Sequence, residues 1–312
     1  MRICAKLGIP FLTIDAEREY KKDVVDYMIR EYKAGRTPNP DVMCNRYIKF
    51  GIFLKKALKL GADYIATGHY VKKSTNSELS TNKRIKEFVN SRQIRYSLMI
   101  AKDLNKDQSY FLWTLTPKQL KYCLFPIGDF TKPEVRELAK KFNLATAEKR
   151  ESMGVCFLGE FDITDFLKKY IKTKKGKVVN LEGNIVGEHD GVNFYTIGQR
   201  HGVSKGGGIP YYIVDKNIKK NLLIAADKAD EEKFYKKEVE IEDVSWISGK
   251  KPDVKKTYKA RIRYRQPLQK CKLRVTRYGL RVTFAKPQRA VTSGQSLVLY
   301  DGNEMLGGGI IV

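Results

Sequence analysis

Asp63-Tyr64-Ile65-Ala66-Thr67-Gly68-His69 is the stretch on which the reading of the fold turns. A short apolar run closing on Gly-His is how a buried parallel strand ends when its carboxyl edge faces a ligand. Upstream, Ile9-Pro10-Phe11-Leu12-Thr13-Ile14 reads as a second buried strand. Between them, residues 16–34 read as a helix, with Tyr20, Val24, Tyr27, Met28 and Tyr32 at helical spacing. The turn Gly35-Arg36-Thr37-Pro38-Asn39-Pro40 follows, then a second helix from about Val42 to Leu60 that stops near Gly61. Strand, helix, helix, strand is the order of a parallel α/β sheet. Helical patterns resume at 106–122 and 131–142, while Ser74–Ser91 is polar and weakly periodic and reads as a surface insertion.

Past residue 175 the periodicity changes. Short alternating runs such as Lys177–Leu181, Tyr211–Val214 and Leu222–Ala225 are separated by Gly and Asn turns, including Gly206-Gly207-Gly208, and indicate a β-rich region. Residues 237–312 consist of short strand patterns throughout and read as a small barrel.

With 312 residues the chain can bury a full core and holds two or three domains. Mean hydropathy is −0.45. No apolar run reaches the length of a membrane span and the start lacks the long apolar segment of a secretory signal, so no membrane association is expected. Sixty Lys and Arg stand against 35 Asp and Glu, a net charge of +25. A polyanionic partner accounts for that excess, and a lysine-biased proteome is the alternative. The cysteines Cys4, Cys44, Cys123, Cys156 and Cys271 are scattered, and no Cys-x-x-Cys occurs. Neither a zinc site nor a secreted disulfide framework fits, which points to a reducing compartment. The same absence argues against a thiol–disulfide oxidoreductase.

Two cysteines have a setting that suggests chemistry. In Asn39-Pro40-Asp41-Val42-Met43-Cys44-Asn45, Asn39 is a helix cap and Pro40 suits the first helical position. Cys44 then lies near the helix start, where free N–H groups and the helix dipole lower a thiol's pKa. Asp41 is placed to carry a proton. A buried core cysteine under a capped helix fits the same letters. Cys156, in Met153-Gly154-Val155-Cys156-Phe157-Leu158-Gly159, is read either as a thiol in a tight glycine loop or as a structural one. Gly68-His69-Tyr70 is either the mouth of a nucleotide site, with His69 facing a polyanion, or a plain turn. Lys106-Asp107-Gln108 is read as a helix start, either contacting phosphate or ribose or simply solvated. From Lys250 to Arg289 there are 15 Lys/Arg and one acid. Lys259, Arg261, Arg263 and Arg265 recur at period two, which would set four cations on one strand face.

Taken together, Asn39–Asn45 with Ile48-Lys49-Phe50-Gly51, Ala66–Tyr70, Lys106–Leu112, Phe125–Gly128, Gly154–Gly159, Tyr195–Gly202, Arg263–Gln266 and Gly307–Ile311 closely resemble the tRNA-specific 2-thiouridylases over essentially the whole chain. The resemblance implies an adenine nucleotide alpha hydrolase-like α/β domain at 1–160, a small β-rich central domain at 161–234 and a tRNA-binding C-terminal β-barrel at 235–312. It implies an ATP-dependent transfer of persulfide sulfur to C2 of the wobble uridine of tRNA, on a base flipped out of its stack. Carried over by motif, Cys156 bears the persulfide, Cys44 is its partner in a transient disulfide, and Asp41 carries the proton. Asn39, Pro40 and Asp41 match the segment that holds the target base, and Gly68 matches an ATP contact. His69, Lys106, Asp107, Gln108, Arg263, Tyr264 and Gln295 match tRNA contacts. Mg²⁺ is expected with ATP, although no dedicated metal ligand set is visible. A sulfur donor such as a cysteine desulfurase or sulfur-relay protein, and a cytoplasmic or organellar-matrix location, are implied with it. One departure stands out. The family opens with a Ser-Gly-Gly-Val-Asp-Ser-Ser type phosphate loop, and nothing like it precedes Ile9 here. The α/β domain is therefore expected to be truncated at its start, and a tRNA-binding protein without adenylation is the competing expectation.

Overall fold

The structure is a computed structural model that describes residues 1–76, 94–148, 156, 162–200 and 210–312. A short helix α1 (Arg2–Leu7) is followed by α2 (residues 17–33) and α3 (residues 40–59). Both longer helices widen into π-helical segments, Lys21–Val25 in α2 and Cys44–Phe53 in α3. Asn39 caps α3 through its side chain, which accepts from the Val42 amide, and Pro40 occupies the first turn. Gly51 suits the widened segment, because a Cβ there would lie 3.1 Å from the Arg46 carbonyl oxygen.

Two parallel strands follow the helices, β1 (Ile65–Ala66) and, further along the chain, β4 (Cys123–Leu124), in register Ile65↔Cys123 and Ala66↔Leu124. The expected strand at 9–14 is absent. Ile9, Phe11 and Leu12 are 51%, 50% and 72% exposed, and the run makes no strand pairing. An apolar segment stays coil when no neighbouring strand takes up its backbone groups. The expected helix over 106–122 is also replaced, by a 3-10 turn at Ser109–Phe111 and α4 at Pro117–Leu120. Tyr110, Leu112, Trp113 and Leu115 are all buried, which a helix with a single apolar stripe could not achieve. Tyr110 donates to the Ser296 carbonyl and Trp113 Nε1 to Ser296 Oγ, holding the segment against the barrel. Thr116 and Gln119 then form a capping box that starts α4 afresh. The helix expected at 131–142 is present as α5 (Lys132–Lys141), with its own Thr131–Glu134 capping box.

The hairpin β2 (Lys72–Thr75) and β3 (Tyr96–Met99) flanks the polar stretch read as an insertion, most of which lies outside the described residues. Its stem joins the C-terminal sheet through Leu98↔Met305 and Met99↔Glu304.

After α6 (Ile163–Lys168) comes a four-stranded sheet of β5 (Gly176–Val179), β6 (Ile185–His189), β7 (Tyr212–Asn217) and β8 (Leu222–Ala226), in the order β6-β5-β8-β7. Its core is Val178, Val192, Ile213, Leu223 and Ala225. The glycine-rich stretch at 206–208 lies outside the described residues. The C-terminal strands are β9 (Lys236–Trp246), β10 (Thr257–Arg261), β11 (Gln269–Val275), β12 (Leu280–Gln288), β13 (Ser296–Asp301) and β14 (Glu304–Ile311). They close into a barrel in the order β13-β10-β11-β12-β9-β14, with β14 pairing back onto β13. The core of the α/β domain runs without interruption into the barrel: Cys44, Phe50, Tyr110 and Trp113 share one apolar cluster with Val298, Tyr300 and Met305. Among the described residues, no helix is long and apolar enough to cross a membrane.

Candidate active site

Helix α3 brings Asp41, Cys44 and Lys49 to one place, and Cys156 meets them there. Cys44 is fully buried, in the first residue of the π-helical segment. The Cys156 amide donates to Asp41 Oδ1 at 3.4 Å, its carbonyl accepts from Tyr20 Oη at 2.5 Å, and its Sγ accepts from Lys49 Nζ at 3.6 Å. The two thiols are close enough for Cys44 to act as a donor towards Cys156, and neither is in a disulfide. The remaining glycines of the Gly154–Gly159 loop lie outside the described residues.

That contact splits the two titrations. The hydrogen bond to Cys156 pushes the Cys44 thiol up, and burial pushes it further, while Lys49 opposes both. The hydrogen bond from Cys44 holds Cys156 below the usual thiol range, against burial and the nearby Asp41 carboxylate, and Lys49 adds to the lowering. The expectation that the helix start lowers the pKa of Cys44 is therefore overturned. Its sulfur is sealed in the core beside a second sulfur, and both of those effects outweigh the dipole. The pair can hold one proton on Cys44 and a nucleophilic thiolate on Cys156.

A cavity of about 810 Å³ opens beside this cluster, lined in part by Leu12, Ile14, Tyr20, Lys49, Gly68 and His69. Gly68 follows β1, at the carboxyl edge of the parallel pair, and a Cβ built there would meet nothing within 4 Å. The apolar walls suit a flat ring, and the open Gly68 backbone suits the close approach of a nucleotide. His69 is 6% exposed, so it does not present a charge to a polyanion. Burial lowers its pKa to about 3, with the charge of Lys49 adding to the effect. Gln108 lines the same cavity, its backbone amide donating to the Tyr70 carbonyl and its Oε1 accepting from the Tyr70 amide.

The other expected contact residues converge on the junction with the barrel. Gln295 Nε2 donates to the Thr37 and Pro38 carbonyls at 3.0 and 3.1 Å, steadying the turn that leads into Asn39 and Pro40. Gly294 (φ +91°) lets the barrel approach that turn closely, since a Cβ there would lie 2.8 Å from the Thr37 carbonyl oxygen. Arg263 donates to the Ile197 carbonyl and to Thr292 Oγ1. Tyr264 packs between Phe111, at 4.7 Å between ring centroids, and the Arg265 guanidinium. Lys106 sits in a half-buried turn next to these residues rather than at a helix start. Asp107 faces inward, ion-paired with Arg261 and accepting from Ser109 Oγ.

The four-cation strand face is corrected by the same geometry. Strand β10 ends at Arg261, whose guanidinium is drawn inside by Asp107 and by the Tyr300 ring 4.7 Å below it. Arg263 is committed to backbone and hydroxyl acceptors, and Arg265 takes a left-handed conformation with φ 65°. Lys259 and Arg265 are left at the surface. Lys49 is the residue that the sequence reading quoted without giving it a role. Residues five apart stack in a π-helix, and that spacing relates Lys49 to Cys44, but only the widened helix makes the relation visible.

Comparison with known proteins finds matches along the chain. Residues 1–160 match the family model described as the tRNA methyl transferase HUP domain, 164–227 the tRNA methyl transferase PRC-barrel domain, and 236–311 the aminomethyltransferase beta-barrel domain. The tRNA-specific 2-thiouridylase MnmA 2 of Geobacillus kaustophilus is 44% identical over 317 residues, covering 100% of this chain and 80% of its own. The chain belongs to the tRNA-specific 2-thiouridylase family. Other members are similarly close. The enzyme of that name from Pseudomonas aeruginosa is 42% identical over 99% of this chain and 80% of its own. The one from Francisella philomiragia is 42% identical over 99% of this chain and 84% of its own. Within this 2-thiouridylase, the cluster of Asp41, Cys44, Lys49 and Cys156 lies against the cavity, and the barrel contacts converge on the turn before α3.

Proposed function

We propose that the chain makes 2-thiouridine in tRNA, using ATP to activate the wobble uracil and a persulfide on Cys156 to deliver sulfur. The observation that carries the reading is the meeting of Cys44 and Cys156, far apart in sequence, behind Tyr20 and Lys49, which contact Cys156 and line a cavity that also exposes Gly68. ATP is a substrate here. Its adenine fits the apolar walls, and the backbone at Gly68 leaves room for it. The C2 oxygen of uracil takes AMP, and pyrophosphate leaves. The outer sulfur of the Cys156 persulfide then attacks C2, and AMP departs. Cys44 attacks the Cys156 sulfur, which releases 2-thiouridine and leaves a Cys44–Cys156 disulfide that an external thiol reduces. Cys44 must first lose its proton, and Asp41, within reach of Cys156 from the same helix, is the group proposed to carry it.

Asn39, Pro40 and Asp41 are proposed to hold the flipped base, with Gln295 fixing their turn. His69 and Gln108 act from the cavity wall, and Lys106, Arg263 and Tyr264 from the barrel junction, in contact with tRNA. Asp107 is proposed to serve this surface indirectly, by locking the 105–108 turn to Arg261. The proposed partners are tRNA and a protein that donates persulfide sulfur, such as a cysteine desulfurase or relay protein. The proposed setting is the cytoplasm or another reducing compartment, as a resting dithiol requires. Mg²⁺ would accompany ATP; among the described residues, no group of three or more His, Cys, Asp or Glu gathers that could hold a metal.

The test is sulfur transfer from a persulfide donor to tRNA in the presence of ATP. Cys156→Ala is expected to abolish 2-thiouridine while tRNA binding persists. Undiminished thiolation by that variant would refute the assignment of Cys156.

A further inference from the structure

We propose that Lys49 is the positioning residue that prepares Cys156 to receive sulfur, with neutral His69 as the anchor that holds the Lys49 ammonium in place. This inference rests on the sulfur-transfer reading of the site and adds a residue to it.

The geometry forms a chain of contacts. Thr67 Oγ1 lies 2.9 Å from His69 Nδ1, His69 Nε2 lies 3.5 Å from Lys49 Nζ, and Lys49 Nζ lies 3.6 Å from Cys156 Sγ. An ammonium has only donors. The imidazole must therefore accept at Nε2, which places its proton on Nδ1, where it donates to Thr67. His69 can accept only while it is neutral, and its packing against Phe50 and Phe125 keeps it so. Among the described residues, no carboxylate forms an ion pair with Lys49. Its charge is thus directed at sulfur and at the cavity it lines.

Among the described residues, the charged and titratable groups around Cys156 are few. From α3 come Asp41, Cys44 and Lys49, and from α2 comes Tyr20, whose hydroxyl is spent on the Cys156 carbonyl. Asp41 works against a thiolate and Cys44 supplies a neutral donor, so Lys49 is the one cation in the set. Loading requires the thiolate. The Cys156 thiolate attacks the outer sulfur of a donor persulfide, a new S–S bond forms on Cys156, and the donor leaves as its own thiolate. The proton lost beforehand passes to solvent through the cavity. An ammonium beside Sγ stabilises the anion before attack, and it lies close enough to follow the sulfur as charge moves outward.

The experiment is alkylation of the 312-residue protein by iodoacetamide, resolved residue by residue by mass spectrometry across pH. Lys49→Met is expected to raise the midpoint for Cys156 by about one unit, making alkylation about tenfold slower at pH values below both midpoints. Lys49→Arg should restore most of the shift. Lys59→Met, which removes an exposed charge further along the same helix, should leave the midpoint unchanged. If Lys49→Met does not give a native circular dichroism spectrum, Lys49→Gln carries the same expectation. An unchanged midpoint in a folded Lys49→Met or Lys49→Gln variant would overturn the proposal. Because alkylation needs neither ATP nor tRNA, a shifted midpoint supports the Lys49 role even if the chain fails to thiolate tRNA, and that failure would count against the sulfur-transfer reading alone.

Discussion

The Arg261 guanidinium lies 2.9 Å from the Asp107 carboxylate, with the two side chains only 7% and 1% exposed. This pair ties the turn beside the cavity to the end of barrel strand β10. Asp107 also accepts from the amides of Ala101 and Ser109 and from Ser109 Oγ, which in turn meets Tyr300 Oη. Asp107→Ala leaves a buried cation and several donors without an acceptor. It should cost about 3–5 kcal/mol of stability, read as a lower urea midpoint. Asp107→Asn keeps the shape and some of the hydrogen bonds and should recover part of the loss. A cost below about 1 kcal/mol for the alanine variant would mean that the junction relaxes around the lost pair.

Cys44→Ala should raise the alkylation midpoint of Cys156. The hydrogen bond from Cys44 is the largest influence lowering that thiol, and burial and Asp41 both push the other way. Removing the donor leaves Lys49 alone against them. Cys44→Ser, which keeps a donor, should shift the midpoint less. Site-resolved alkylation across pH measures both, and a midpoint unmoved by Cys44→Ala would contradict the assigned proton sharing.

His69 gives the fold an acid sensitivity of defined sign. Burial lowers its pKa from the ordinary 6.5 to about 3. Between those values the unfolded chain binds a proton that the folded chain does not, so stability rises with pH in that window. The contribution is intact above pH 6.5 and is lost progressively as pH falls towards 3, by up to ~1.4 kcal/mol per unit. His69→Asn should flatten the stability profile across that range in urea titrations. A slope equal to that of the parent would show that other groups are responsible.

Binding of tRNA should weaken steeply with salt, and the surface cations should share the effect unequally. Lys259→Ala and Arg265→Ala remove exposed charges and should each lower the slope of log affinity against log salt by about one. Arg261 is spent on Asp107 and Tyr300 and is expected to contribute nothing to that slope. Filter binding between 50 and 200 mM salt, about the range in which phosphate contacts dominate, checks this. A slope untouched by Lys259→Ala would move the tRNA track away from β10.

Local rules made several elements legible. Asn39 and Pro40 announced the start of α3, and alternation announced the central sheet and the barrel strands. The same local rules failed where the decisive partner was distant. Residues 9–14 have the composition of a strand but no ladder to join, and 109–115 have the apolar content of a helix but are gripped by Ser296. The alternation through Lys259–Arg265 was real, yet it could not reveal that Asp107 would pull Arg261 inside. Cys44 and Asp41 were visible as a local motif. The roles of Lys49 and of the neutral His69 depend on a widened helix and on burial, which adjacent letters do not encode.

Strand β14 changes neighbours along its length. Glu304 and Met305 pair with the hairpin stem of the α/β domain, and Gly307–Ile311 pair with β9 inside the barrel. One polypeptide segment thus completes two architectures at once. Releasing it from either would bare a strand edge and open the shared apolar interior of Tyr110, Trp113, Val298 and Met305. Heating should therefore melt the catalytic half and the barrel in a single calorimetric event. A barrel excised at residue 236 should be prone to aggregate, so engineered fusions or split versions of this enzyme would do better cut elsewhere.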